Sequence, residues 1–195
     1  MALAVVLNQI QFFRLPQGGS ITLGTSLPIW IVAWRHGVRV GMLAGMVLGT
    51  VLAIMAPSHV SILQVLLDYP LAFGMLGLAG LGKSWALGVL VAAGARISCH
   101  ALAGILFFGQ FVPQGWVPWR FAFGYNALLV LPETVLGVGL YMMLLHKLGT
   151  GSSRHLGIER SGKEPSIGPG FVLLTFLTLA FAALQVVWVH GKGAR

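Results

Sequence analysis

Long apolar runs separated by short polar, Gly- or Pro-containing stretches set the pattern of this chain. The first run extends from Met1 to about Phe13 and stops at Arg14 and the turn-forming stretch Pro16-Gln17-Gly18-Gly19-Ser20. Others cover about Ile21–Trp34, ending at Arg35-His36-Gly37-Val38-Arg39, and about Val40–Met55, ending at Ala56-Pro57. Three more cover about Val60–Leu81, Trp85–Phe111 and Phe121–Leu145, with a Pro- and Trp-containing loop from Val112 to Trp119 between the last two. A stretch rich in Gly, Ser, Lys and Arg follows from His146 to Pro169, then a seventh apolar run over Phe171–Val189. The runs do not alternate apolar with polar residues as barrel strands do, and several approach the roughly 20 residues that a helix needs to cross a bilayer. The pattern predicts an all-α integral membrane protein.

Composition strengthens this expectation. Hydrophobic residues make up 57% of the chain, charged residues only 8%, and mean hydropathy is +0.89. A soluble domain carries roughly 25% charged residues. Met1 leads straight into an apolar stretch with no charged leader, so no cleavable signal peptide is expected. Cys99 is the single cysteine, which excludes an internal disulfide and a cysteine metal cluster. The net charge of +8 does not point to nucleic acid, because no basic patch is interleaved with aromatics. The basic residues sit in loops instead. Arg35, Arg39, Lys83, Lys147, Arg154, Arg160 and Lys163 fall on one side; Arg14 and Arg120 fall on the other, with Lys192 and Arg195 if the seventh run crosses. The richer side is predicted to be cytoplasmic.

Two glycine patterns bear on function. Gly41, Gly45 and Gly49 repeat every four residues, which lets a helix approach closely; packing within the chain is the simpler reading, a docking face for another protein the sharper one. Gly77-Leu78-Ala79-Gly80-Leu81-Gly82-Lys83-Ser84 matches the phosphate-loop pattern, but it follows a membrane helix rather than a strand. ATP binding is not expected.

Charge inside a span is costly and asks for a reason. Asp68, the one aspartate, lies in the fourth run beside Tyr69. Arg96 and His100 share one helical face in the fifth, continued by Gly104 and Phe108; Asn126 and Glu133 share a face in the sixth. Asp68 could pair with Arg96 to join two helices, His100 could be a packing histidine, and Glu133 could satisfy backbone groups freed by Pro132. Tyr69, Trp116 and Trp119 could be interface aromatics. Against these readings stands convergence, since Asp68-Tyr69, His100 and Asn126 fall near the outer third of three different segments. One carboxylate with aromatic faces and a few imidazole or amide groups suits a cationic aromatic ligand. No nucleophile–base pair, metal-ligand spacing or HExxH pattern occurs, so no catalytic residue, metal or cofactor is predicted. An intramembrane enzyme using Asp68, His100 and Glu133 is the rival of another class.

Several of these motifs resemble one family. Phe13-Arg14-Leu15-Pro16-Gln17-Gly18-Gly19-Ser20-Ile21-Thr22-Leu23 followed by Leu27-Pro28-Ile29 is similar to the first loop and second helix of the thiamine transporter ThiT family. These proteins are substrate-binding S components of energy-coupling factor (ECF) transporters. Leu66–Phe73 with Gly77–Gly80 resembles the family's fourth helix. Arg96–Gly104 with Phe107-Phe108-Gly109-Gln110 and Pro113 resembles its fifth, and Tyr125-Asn126 the start of its sixth. The resemblance covers about Ala2–Leu148.

It implies a six-helix S-component bundle over 1–148 with a short first helix; the flexible cytoplasmic loop expected over 149–169 and the additional transmembrane helix and tail expected over 170–195 depart from the family's usual six helices. The first helix lacks several apolar residues that the family carries before the position of Ala2; either the true start lies upstream of Met1 or docking is altered, the family's small-residue pattern being only hinted at by Ala2 and Ala4. The resemblance also implies high-affinity capture of thiamine or a related small cation from outside, with Pro16, Gln17, Gly18, Gly19 and Ser20 as a lid. A transmembrane scaffold subunit and two ATPase subunits would drive uptake across a prokaryotic plasma membrane. Carried over by position, Asp68, Tyr69, Arg96, His100, Gly104, Phe108, Phe121 and Asn126 are the expected substrate-binding residues. Phe108 stands where the family can have a tryptophan and Phe121 where it can have a tyrosine, which keeps an aromatic face and loses a donor. Another vitamin or a precursor such as hydroxymethylpyrimidine is the nearer alternative ligand.

Overall fold

A computed structural model describes residues 2–15, 19–56, 60–81 and 84–148. All of them belong to one unit, Met1–Gly162. The expected flexible loop, the seventh apolar run and Lys163, Lys192 and Arg195 lie outside the described residues, as do Pro16, Gln17, Gly18, Gly82 and Lys83.

Helix α1 spans Ala2–Gln9, short of the predicted end at Phe13. The aromatic pair Phe12-Phe13 favours extended backbone, and Gln11–Arg14 forms strand β1, paired antiparallel with β2, Ser20–Thr22. This hairpin is the one departure from an all-helical chain among the described residues. Arg14 faces Ser20 and Phe13 faces Ile21, so the pairing brings the two ends of the first loop together. The turn after β2 requires glycine. Gly24 has φ +67°, and a Cβ there would come 2.8 Å from Cα of Gly137.

Helix α2, Leu27–His36, starts later than its apolar run, with Pro28 in the first turn, where a missing N–H costs nothing. Gly37, at φ +88°, alone separates it from α3, Val38–Met55. The predicted polar break from Arg35 to Arg39 is therefore mostly helix. Helix α4 covers Ile62–Leu81 and changes pitch along its length. An α-helical start at Ile62–Leu66 widens to a π turn over Leu67–Leu71 containing Pro70, then tightens to a 3₁₀ helix over Met75–Leu81. Proline has no N–H for the i−4 carbonyl and crowds it, and a wider turn relieves that crowding. Helix α5 spans Trp85–Phe107; the Ser84 hydroxyl caps it by accepting the Leu87 N–H at 3.3 Å. A 3₁₀ turn at Gly109–Phe111 shortens the predicted fifth run, and α6 runs from Pro118 to Leu148.

The described chain is thus a bundle of six helices. Among the described residues four are long and apolar enough to cross a membrane: α3, α4, α5 and Pro118–His146 of α6. Their outer faces expose Leu43, Val47 and Ile54, Ile62 and Leu63, Leu90 and Leu106. Apolar side chains in such a band need lipid rather than water.

The glycine stripe packs inside the chain. A Cβ on Gly45 would collide with the Phe73 carbonyl, and one on Gly49 with that of Tyr69; Gly41 lies against Ala33 and Gly77. The stripe therefore presses α3 onto the backbone of α4, including its π turn, and the docking-face reading is overturned. Toward the far end, Trp34 and Trp85 flank Tyr141 at centroid distances of 5.2 and 5.6 Å, and Trp34 Nε1–H donates to the Ala79 carbonyl at 3.1 Å. Gly77–Leu81, the first part of the phosphate-loop look-alike, lies in the 3₁₀ segment of α4 and follows no strand.

Candidate functional site

The π turn of α4 positions the first functional side chain. Asp68 lies in it, and Gln64, one turn earlier, donates from Nε2 to Asp68 Oδ2 at 2.7 Å. From α5, His100 Nδ1 lies 2.9 Å from Asp68 Oδ1. The same ring meets Arg96 on its other side, with Arg96 Nε 3.4 Å from His100 Nε2.

Arg96 is held from two further helices. Its Nη1 donates to both carboxylate oxygens of Glu133 on α6 at 3.1 Å and to Ser26 Oγ, just before α2, at 3.0 Å. Ser26 donates in turn to Glu133 Oε1 at 2.8 Å, and the guanidinium carbon lies 4.4 Å above the Phe73 ring. Arg96, Glu133 and Ser26 are all buried. Both charges of this ion pair keep hydrogen-bond partners away from water, which is the condition under which buried charge is tolerable.

These contacts correct two readings of the sequence. Asp68 pairs with His100, not Arg96, because Arg96 is engaged by Glu133. Glu133 takes a guanidinium and a hydroxyl rather than backbone groups freed by Pro132.

Around this network lies a cavity of about 530 Å³, a size suited to a small organic molecule. Asp68, Tyr69, Arg96, His100, Gly104, Phe108, Phe121 and Asn126 all line it, so helices four to six bring the eight expected residues to one space. Gly104 faces Ala122, and a Cβ there would come 3.3 Å from that of Ala122 and 3.8 Å from Asn126 Nδ2. Asn126 donates from Nδ2 to the Ala122 carbonyl at 2.9 Å. Only the amide nitrogen can donate, so this bond fixes the orientation of the side chain and leaves Oδ1 as an acceptor. Phe121 packs between Trp116 and Tyr125 at 6.3 and 6.0 Å, and Phe108 against Phe111 at 6.2 Å. Trp116 and Trp119 themselves are substantially exposed, and Arg120 sits 5.3 Å from the Trp119 ring.

Of the expected lid, Gly19 and Ser20 line the cavity. Gly19 lies directly on Leu129 and close to the Tyr125 hydroxyl, with no room for a Cβ. Gln64, Ser26, Phe73 and Tyr125 were not among the expected site residues. Gln64 carried a signal, since it precedes Asp68 by one helical turn. Ser26 and Phe73 carried none, because their partner Arg96 is 70 and 23 positions away.

Electrostatically the two carboxylates differ in their partners. Two carboxylates, Asp68 and Glu133, face one guanidinium, and the imidazole bridges them. Glu133 is matched by Arg96, whereas Asp68 meets the His100 imidazole and the Gln64 amide. Arg14 also borders the cavity, from the exposed face of the hairpin. Among the described residues no group of three or more His, Cys, Asp or Glu side chains could hold a metal ion.

The family model described as thiamine transporter protein matches residues 1–151. The chain belongs to this family. It is 31% identical over 155 residues to the thiamine transporter ThiT of Bacillus subtilis, covering 69% of this chain and 80% of that protein. To ThiT of Lacticaseibacillus paracasei it is 29% identical over 141 residues, covering 61% and 70%. The solved structure of ThiT from Listeria monocytogenes superposes with a TM-score of 0.66 at 24% identity, over 80% of this chain and 91% of that one. This last likeness shows the shared fold of the thiamine transporter family. With four helices among the described residues able to span a bilayer, this member is a membrane protein, and its named relatives are transporters.

Proposed function

We propose that the protein binds thiamine, or a close cationic relative, in the cavity around Asp68, as the substrate-binding S component of an ECF transporter. The observation that carries this reading is the Asp68 carboxylate, held by an imidazole and an amide rather than by a guanidinium, in an aromatic-walled cavity of small-molecule size. A cationic heteroaromatic ligand satisfies both features. Asp68 balances its charge, Tyr69, Phe108 and Phe121 offer ring faces worth ~0.5 to 2 kcal/mol each toward a cation, and Asn126 Oδ1 accepts a donor. Gly104 keeps the wall open. The family's thiamine-transporting relatives support the same ligand.

The cavity is bordered by the hairpin, the C-terminal ends of α3 and α5 and the N-terminal portions of α4 and α6. Arg35 and Arg39 lie at the opposite end of the bundle, by the Gly37 break. The basic end is the cytoplasmic one, so capture occurs from outside. The segment Pro16–Ser20 closes over the ligand. A scaffold subunit and two ATPase subunits then drive reorientation and inward release, with ATP hydrolysed in those partners. Residues 1–148 form the membrane domain in the prokaryotic plasma membrane, 149–169 a cytoplasmic loop, and 170–195 an added transmembrane helix and tail.

The test is tryptophan fluorescence of the purified protein titrated with thiamine, hydroxymethylpyrimidine, riboflavin and biotin. Saturable quenching by thiamine below micromolar concentration is expected. A folded protein silent to micromolar thiamine refutes the reading, and a response to the pyrimidine alone transfers it to the precursor.

A further inference from the structure

The hydrogen bonds around Asp68 run in a single direction. A guanidinium only donates, so His100 Nε2 accepts from Arg96 at 3.4 Å. The hydrogen of the neutral ring then sits on Nδ1 and is donated to Asp68 Oδ1 at 2.9 Å. Gln64 Nε2–H occupies one acceptor position on Oδ2. The groups facing the imidazole are thus Asp68 from α4 and Arg96 from α5, with Glu133 of α6 facing it through Arg96. Neither ring nitrogen of His100 is left for a ligand, while each Asp68 oxygen retains acceptor capacity.

We propose that Gln64 and Arg96 are positioning residues for the Asp68 carboxylate, Gln64 directly and Arg96 through the tautomer of His100. Both ends of the relay are anchored away from the ligand. Gln64 is buried, and its Oε1 accepts the Val60 N–H at 3.3 Å, which leaves its N–H₂ turned to Asp68. Arg96 is clamped by Glu133 and Ser26. The relay has two consequences. It denies Asp68 the rotamer freedom of a lone carboxylate, and it selects a ligand edge that presents N–H donors, since acceptors at the same place would meet a carboxylate already oriented to accept. His100 contributes as the connecting member, with its ring edge committed on both sides.

This inference rests on the proposed ligand only for its affinity readout. In the full-length protein in nanodiscs, Gln64→Leu is expected to weaken thiamine binding about tenfold, the scale of one charge-assisted hydrogen bond. In an Asp68→Asn background the same substitution should change affinity less than twofold, because there is no carboxylate left to orient. Gln64→Met keeps the length of the side chain but removes the N–H donor, and it serves if the leucine variant does not fold. The second readout is the ¹⁵N spectrum of the histidine rings, with His100 assigned by difference from His100→Gln. The unaltered protein should show the Nδ1–H ring. Arg96→Gln combined with Glu133→Gln removes both buried charges together and should shift the population toward Nε2–H. An equal loss from Gln64→Leu in both backgrounds, or an Nε2–H ring in the unaltered protein, overturns the proposal. If the unaltered protein takes no thiamine, the functional reading alone fails; the ring spectrum needs no ligand and still decides the relay.

Discussion

Asp68 and His100, on helices α4 and α5, meet at 2.9 Å inside a membrane-spanning bundle, and the ion pair of Arg96 with Glu133 at 3.1 Å stands immediately behind them. The two pairs divide the work of the polar interior. Arg96–Glu133 is nearly sealed, at 8% and 3% side-chain exposure, whereas His100 and Asp68 retain 16% and 18% and border the cavity. The sealed pair joins α5 to α6, and the open pair is the one a ligand in the cavity could reach.

Replacing Asp68 with Asn keeps the size of the side chain and removes its charge. Thiamine affinity should fall by well over tenfold, more than about 1.4 kcal/mol. Binding of uncharged hydroxymethylpyrimidine should fall less. Fluorescence titration of both ligands checks this, and an unchanged thiamine affinity would make Asp68 a packing residue.

Glu133→Ala strands the Arg96 charge in a buried position. A loss of about 3–5 kcal/mol in stability is expected, seen as a large drop in the unfolding temperature in detergent. Arg96→Met with Glu133→Leu removes both charges and should recover most of that drop. A Glu133→Ala protein that melts with the unaltered one would show that the pair is not a clamp.

Two glycines, one on α3 and one on α5, should respond oppositely to alanine. At Gly45 a Cβ meets the backbone of Phe73, which cannot move aside without parting α3 from α4. Gly94, on the exposed face of α5, has nothing within 4 Å of an added Cβ. Gly45→Ala should destabilise strongly. Gly94→Ala should be neutral or gain up to about 1 kcal/mol from helix propensity. Parallel thermal melts decide it.

At Gly19, an added side chain meets the ends of Leu129 and Tyr125 rather than backbone. Gly19→Val should therefore leave the bundle stable yet lift the hairpin from the cavity. Thiamine dissociation is expected to quicken by roughly tenfold in stopped-flow measurements, with the association rate less affected. Unchanged dissociation would remove the hairpin from the role of lid.

Much of the site was visible in the order of residues. Arg96, His100, Gly104 and Phe108 occur at intervals of four, which on any helix makes one face, and they do line one cavity. The pairings were not visible. Asp68 with Arg96 is as reasonable as Asp68 with His100 when judged by charge alone; only the relative height of α4, α5 and α6 brings Glu133 to Arg96 and excludes the first pairing. Pro70 and Gly49 show how that height is set. The proline widens α4 just where Asp68 sits, and the glycine lets α3 lie against the carbonyl of Tyr69.

Sequence alone determined that the chain crosses a membrane as helices, because 57% hydrophobic residues in runs of near-bilayer length have no other stable arrangement. It also determined which polar residues were costly enough to need a purpose. Tertiary structure decided the purposes. It turned the end of the first apolar run into a hairpin, turned the glycine stripe inward, and sorted the charged side chains into a closed pair and an open one. Burial and hydrogen bonding act over a few ångströms between residues as far apart as Ser26 and Glu133, 107 positions apart, and no local pattern along a chain records such distances.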